Sequence, residues 1–323
     1  PKPIRINLTD LTPRACERHT SEGLVRGVAA GLTAAGGRIG GFQAELFSTI
    51  PSGSGLSSSA AFAVLIATAV NRLYNNGDLS QLTMARIAQQ AENDYYGKPC
   101  GLMDQLASAW GGLIFVDFAS PKKPDIESLS FDFRRAEFDL YIVHTGEDHA
   151  DLTGAYRSVT EEMKSVAAYF GKRVLRDLSL SRLIRALPLV RTVTGDRAVL
   201  RAVHFFQENE RVARERDCLQ QNDLTGFLTL MNESGDSSWE LLQNCSLPDR
   251  PTRQGIKLAL ALSRILCEGT GAARVHGGGF AGTVQCLVPR KKSVFFRKGM
   301  EAVFGRQSVI PIRLSPVGAI EIM

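Results

Sequence analysis

The chain has 323 residues, 44% of them hydrophobic, and 38 Lys+Arg against 33 Asp+Glu give it a formal charge of +5. That length and apolar content bury a full core in two domains of ordinary size and exclude a largely disordered chain. The basic excess is scattered, with no block of five or six cations, which excludes a nucleic-acid-binding tail and leaves a modest preference for anionic ligands such as nucleotides.

Taken in chain order, residues 1–5 lack the apolar stretch and cleavage site of a secretory signal. Phe42, Ala44, Leu46, Ser48 and Ile50 alternate with Gln43, Glu45, Phe47 and Thr49, a pattern that predicts a strand with one buried face ending at Pro51. A glycine loop and an apolar helix follow. Met84, Ile87, Ala88, Ala91 and Tyr95 recur at helical spacing before Gly97 and Pro99, and another helix is expected to start near Met103. Gly111-Gly112 break the pattern ahead of a short strand over residues 113–116, and residues 119–124 (Ala-Ser-Pro-Lys-Lys-Pro) read as a linker. The domain boundary is therefore expected at residue 120, between a nucleotide-binding domain 1–120 and a second domain 121–323. The second half predicts a strand at 140–143, helices near 155–170, 196–217, 222–232 and 252–267, and strands at 274–276 and 284–288. No repeat is visible and the elements do not alternate regularly as βαβ units, so the fold class is α+β.

The apolar runs at 60–70 and 256–267 fall short of the roughly 20 residues a membrane helix needs, so a soluble, cytoplasmic protein is expected. The cysteines, Cys16, Cys100, Cys218, Cys245, Cys267 and Cys286, include no CxxC pair and read as free thiols.

Three segments carry chemistry. Pro51-Ser52-Gly53-Ser54-Gly55-Leu56-Ser57-Ser58-Ser59-Ala60-Ala61 lies between a predicted strand and a predicted helix. Glycines allow a tight turn, and the helix that opens at the serines aims free N–H groups and its positive dipole end at whatever sits there, which suits phosphate. One serine would suffice as a helix cap; three in succession exceed that need. No Lys follows the second glycine, so this is not a Walker A loop. The second segment, residues 90–105, sets Glu92 near a helix end and Asp104 just past a Gly-Lys-Pro-Cys-Gly break; two carboxylates and a serine hydroxyl meet the needs of phosphoryl transfer for a metal ligand and for a group that orients the attacking hydroxyl. The third, Gly277-Gly278-Gly279-Phe280-Ala281-Gly282, contains GxGxxG but runs on into a strand, so the dinucleotide reading fails and a glycine-rich bend remains.

In this order the three segments resemble the GHMP small-molecule kinases and, within them, the galactokinases. Residues 51–61 look like that family's PxxxGLSSSA loop, residues 90–105 are similar to its QxAE…GxPCGxMDQ segment, and residues 274–282 resemble its GGGFGG motif with Ala281 in place of a glycine. The resemblance runs in register from about Ser21 to Pro289, with weaker echoes at Thr145-Gly146, Tyr156-Arg157 and residues 231–234. It implies a two-domain GHMP kinase fold with the active site in the cleft between domains, and ATP-dependent phosphorylation of the anomeric hydroxyl of galactose to galactose 1-phosphate. Mg²⁺ is the implied cofactor, ATP and a small sugar are the partners, and a monomer or weak dimer is expected, without nucleic acid or membrane. Gly53, Ser54, Gly55, Leu56, Ser57, Ser58 and Ser59 would bind the nucleotide, Ser58 and Glu92 the metal, and Gly101 and Asp104 the sugar. Asp104 would be the catalytic acid–base, and Gly277, Gly278, Gly279 and Gly282 a structural loop. The alternatives are a non-catalytic galactose and ATP sensor, or a GHMP kinase for another sugar.

One departure is large: the family's G-R-x-N-L-I-G-E-H-T-D segment, which holds the sugar, has no match in residues 1–26. Either the sequence starts downstream of that segment, which its proline start favours, or the protein has lost it; weak sugar binding and little turnover are expected of this chain alone. His144, Glu147, Asp148, His149 and Asp151 could be written as a metal cluster but read as a polar turn after a strand. His204, Phe205 and Phe206 read as helix packing, and His276, Trp110 and Trp239 carry no further signal.

Overall fold

The computed structural model of the protein describes residues 3–50, 56–146, 152–280 and 282–322. The chain divides into two compact units, Pro1–Leu129 with Leu314–Met323, and Ser130–Arg313.

The first unit is built on α1 (Ser21–Ala34), α2 (Ser58–Asn75) and α3 (Gln81–Gln90). Thr20 and Ser80 open α1 and α3 by accepting from the amides of Gly23 and Thr83. Gly23, Gly27 and Gly31 fall on one face of α1, and that face is pressed against α3 and the turn after it. A Cβ on Gly27 would sit 2.8 Å from Ala91 Cα, and one on Gly31 2.8 Å from Ile87 Cγ2. Val28, Leu32, Val64, Ala67, Val70, Ile87 and Leu106 make the shared core. The predicted helix over residues 84–95 is present, but its last turn, Ala91–Tyr96, widens to π geometry and stops at Gly97 with φ 81°. After it come α4 (Met103–Trp110) and the antiparallel pair β1 (Leu113–Asp117) and β2 (Asp125–Leu129).

Three expectations need correction here. Residues 119–124 are the turn of the β1–β2 hairpin, not a linker; the Pro, Ser and Lys content that suggests a linker serves a turn equally well, and Lys123 N donates to Ser120 O at 2.9 Å. The division thus falls at 129/130 instead of 120, and residues 314–323 rejoin the first unit, where Gly112 N donates to Ser315 O at 2.6 Å and Ala319 N to Ser108 O at 3.1 Å. Residues 42–50 form no strand and none is buried, Phe47 being 85% exposed. Alternation alone cannot make a strand without a partner backbone to complete its ladder, and among the described residues none pairs with this stretch.

The second unit carries one antiparallel sheet, order β4-β5-β3-β6, formed by β3 (Phe138–His144), with α5 (Thr153–Tyr169), α6 (Leu180–Thr194), α7 (Asp196–Gln220), α8 (Leu224–Ser237) and α9 (Gly255–Leu266) intervening before β4 (Ala272–Val275) and β5 (Thr283–Pro289), and by β6 (Val309–Ile312) after α10 (Ser293–Phe304). Tyr141 and Val143 of β3, Val284 and Cys286 of β5, Ile256 and Leu260 of α9 and Phe296 and Met300 of α10 share one core, while α5, α6 and α7 close a second around Val166, Leu183, Val190 and Ala202. Mixed helix with antiparallel strands is the expected α+β class. Among the described residues no helix is long and apolar enough to cross a membrane.

Candidate active site

In the first unit the site grows from the start of α2. Its buried stripe, Ala63, Ile66, Ala67 and Val70, extended back by one turn reaches Ser59, whereas Ser58 heads the side that carries Leu65, 43% exposed. Ser59 Oγ accordingly donates to Glu92 Oε1 at 2.6 Å, and Ser58 is exposed. The hydroxyl set against Glu92 is thus that of Ser59, one residue on from Ser58 and about 100° around the helix. Gly53, Ser54 and Gly55 of the expected phosphate loop lie outside the described residues, and Leu56 is half-buried.

Glu92 stands on the π turn, its side chain 1% exposed. The loop after Gly97 is tied back over it: Lys98 N donates to Glu92 O at 2.9 Å, Cys100 N to Asn93 Oδ1 at 2.7 Å, and Gln89 Nε2 to Cys100 O at 3.1 Å. This brings three further groups to the carboxylate. Gln105 Nε2 donates to Oε2, the Cys100 thiol donates to Oε2 at 3.8 Å, and the Lys98 ammonium stands 3.7 Å from Oε1. Burial, reinforced by the charge of Glu92, pushes the Cys100 thiol up to about 11, so it stays protonated and acts as a weak donor. Gln105 Oε1 is buried and has no hydrogen-bond partner among the described residues.

Asp104 occupies the first turn of α4, half-buried, where its Oδ2 accepts from Ser57 Oγ. Two hydroxyls at the head of one helix therefore hold two carboxylates from different elements. Gly101 is exposed, and a Cβ placed on it would meet none of the described residues within 4 Å. Sequence reasoning placed Ser57, Ser59, Glu92 and Asp104 in one chemistry, and the structure brings them together. It missed Lys98, Cys100 and Gln105 as neighbours of Glu92. Gln105 is the next residue after Asp104, about 100° around α4, and that offset is the only sequence signal that it faces elsewhere.

The expected glycine loop lies in the second unit, between β4 and β5. Gly277, Gly279 and Gly282 have φ of 68°, 80° and 101°. Thr145 N and Oγ1 donate to Gly282 O at 2.8 and 2.9 Å, Tyr156 OH to Gly279 O at 3.1 Å, and Asn244 Nδ2 to Gly278 O at 3.0 Å. A Cβ on Gly278 would lie 2.5 Å from the Tyr156 ring. These contacts make it a tight, tied strand connection, and Ala281 lies outside the described residues. So do Glu147, Asp148, His149 and Asp151 of the polar turn; His144 Nδ1 accepts from Gly146 N at 3.0 Å. His204 is buried against Ser237 Oγ at 2.8 Å, a packing role as its pattern suggested. Among the described residues no three His, Cys, Asp or Glu side chains gather as a metal cage.

Comparison with known proteins gives consistent relatives. Residues 23–112 match the family model for the GHMP kinases N terminal domain. The chain is 33% identical to the galactokinase of Streptomyces coelicolor over 307 residues, 94% of this chain and 74% of that protein. To the galactokinase of Glaesserella parasuis it is 32% identical over 272 residues, 84% of this chain and 68% of that one. The fold superposes on the crystal structure of Lactococcus lactis galactokinase complexed with galactose with a TM-score of 0.75, covering 97% of this chain and 79% of that chain at 22% identity.

Proposed function

The chain belongs to the galactokinase family of GHMP kinases, and we propose that it transfers the γ-phosphoryl group of ATP to the anomeric hydroxyl of galactose, giving galactose 1-phosphate. The observation that carries the reading is the pair of hydroxyl–carboxylate contacts at the head of α2, Ser57 with Asp104 and Ser59 with Glu92. Phosphoryl transfer needs positioning and charge neutralisation more than covalent help from the protein, and this arrangement supplies one carboxylate for each task.

Asp104 is the group for the acceptor: its carboxylate orients the anomeric hydroxyl toward the phosphate and takes its proton as the new P–O bond forms. Gly101, with open space where a side chain would stand, leaves room for the sugar ring. Residues 53–59 serve the phosphates through backbone N–H groups and the N-terminus of α2. Glu92 Oε1 and Ser59 Oγ are hard oxygen donors on adjacent elements, and they fit a hard divalent cation such as Mg²⁺ that takes only one or two protein oxygens and fills its shell with phosphate and water. Such a cation, held there, would supply charge neutralisation for the phosphates. Lys98, within 3.7 Å of Glu92, compensates the buried carboxylate when the cation is away.

A panel of sugars with Mg·ATP, scored for ADP release and for the sugar phosphate formed, tests the reading. Galactose should be the preferred acceptor. Nucleotide binding without turnover on any sugar would point to a sensor, and preferred turnover on a different sugar to another kinase of the family.

A further inference from the structure

A serine at the start of a helix ordinarily turns its hydroxyl inward to accept from an amide two or three residues on. Ser57 caps nothing in that way. Its backbone is left-handed, φ 51° and ψ 50°, a region that side chains other than Gly, Asn and Asp seldom adopt, and no amide of α2 donates to its Oγ. The hydroxyl instead reaches across the fold to Asp104 Oδ2. A strained backbone of this kind persists where the surroundings over-determine it, and it gathers at functional sites. Here the contact that accompanies it joins the segment expected to bind nucleotide to the carboxylate that faces the acceptor.

Two consequences follow from elementary chemistry. A hydroxyl has one proton, so while Ser57 donates to Asp104 it has none to offer a phosphate oxygen. A carboxylate also turns softly about its terminal torsion, and fixing one oxygen fixes the direction of the other. We infer that the Ser57 side chain positions Asp104 and that its hydroxyl is not a nucleotide contact: it holds Oδ2 and leaves Oδ1 aimed at the anomeric hydroxyl. The inference rests on the galactokinase reading of Asp104.

The test is a double-mutant cycle on the full chain with Ser57→Gly and Asp104→Asn, reading kcat, KM and the Kd of Mg·ATP. Glycine adopts the left-handed backbone freely, so the Ser57→Gly protein should melt no lower than the wild type. Its kcat should fall by about 10- to 100-fold, the usual cost of a misplaced reacting group, while the Kd of Mg·ATP stays within about twofold. Added to Asp104→Asn, the same change should lower kcat by less than about twofold further, because the carboxylate it positions is already gone. A Ser57→Gly protein with weakened Mg·ATP binding and normal kcat would overturn the inference, as would losses that multiply in the double mutant. Wild-type protein that releases no ADP with galactose would remove the kinase reading itself, and the positioning role with it; normal wild-type turnover beside a silent Ser57→Gly would remove the positioning role alone.

Discussion

Ser59 Oγ and Glu92 Oε1 lie 2.6 Å apart, a hydroxyl on the first turn of α2 against a carboxylate on the π turn that ends α3. Burying a carboxylate to 1% exposure is unfavourable unless it is fully partnered, and here the partners are Ser59, Gln105, Cys100 and Lys98. If this pair is where the divalent cation binds, Glu92→Ala should raise the Mg²⁺ concentration needed for half-maximal nucleotide binding by at least about tenfold, the scale of losing a ligand or its support. Titrating Mg·ATP into both proteins measures it. An unchanged magnesium dependence would take Glu92 out of the metal site.

Glu92 is placed by the close approach of α1 to the π turn. A methyl group on Gly27 would stand 2.8 Å from both Cα and Cβ of Ala91, the residue before Glu92. Gly27→Ala should therefore destabilise the protein by about 1–3 kcal/mol, the usual cost of overpacking, and lower turnover together with it. Urea unfolding and the steady-state rate check both halves. A Gly27→Ala protein as stable as the wild type would mean that α1 can back away from the turn at no cost.

Gly101 offers the opposite case. Among the described residues nothing lies within 4 Å of the Cβ position there, so Gly101→Ala should leave the melting temperature unchanged. If the space belongs to the sugar, KM for galactose should rise while the Kd of Mg·ATP does not. Equal sugar KM in the two proteins would remove Gly101 from the acceptor site.

Much of this was legible in the sequence, and the gaps have physical causes. Helices with a clear apolar period, such as those over 84–95 and 252–267, were readable because their burial repeats locally; α10 and α6 were not assigned. The identity of Ser59 as the hydroxyl beside Glu92 depends on which side of α2 is buried, and a run of three serines carries no sign of that phase. The contacts of Gln105 and Cys100 with Glu92 depend on how residues 97–101 fold back over the turn, which composition does not encode. The return of residues 314–323 to the first unit is a long-range event, and the alternation of 42–50 is a local pattern that no described partner strand completes.

The second unit makes a prediction about pH. Burial pushes His204 down to about 4 from its ordinary 6.5, with Arg211 and Arg274 adding and Glu208 opposing, and it pushes Glu215 up to about 7 from 4.5 among the same three side chains. Stability linked to His204 is full above pH 6.5 and is lost as pH falls toward 4; stability linked to Glu215 is full below pH 4.5 and is lost as pH rises toward 7. Across pH 4.5–6.5 the two slopes therefore oppose in the wild type. Glu215→Gln should then lose stability on acidification, and His204→Asn on raising the pH. Denaturant midpoints across that range decide it; identical profiles for all three proteins would contradict the assignment.

The most direct test of the kinase reading is the rate of galactose 1-phosphate formation by the wild type and by Asp104→Asn, measured beside the Kd of Mg·ATP for each. Asparagine keeps the shape and removes the charge. The wild type should convert galactose in an ATP-dependent reaction, and the variant should bind Mg·ATP equally well with kcat lower by about 10² to 10⁴, the range for a lost general base. A wild type that forms no galactose 1-phosphate, or a variant that keeps near-normal kcat, would contradict the account.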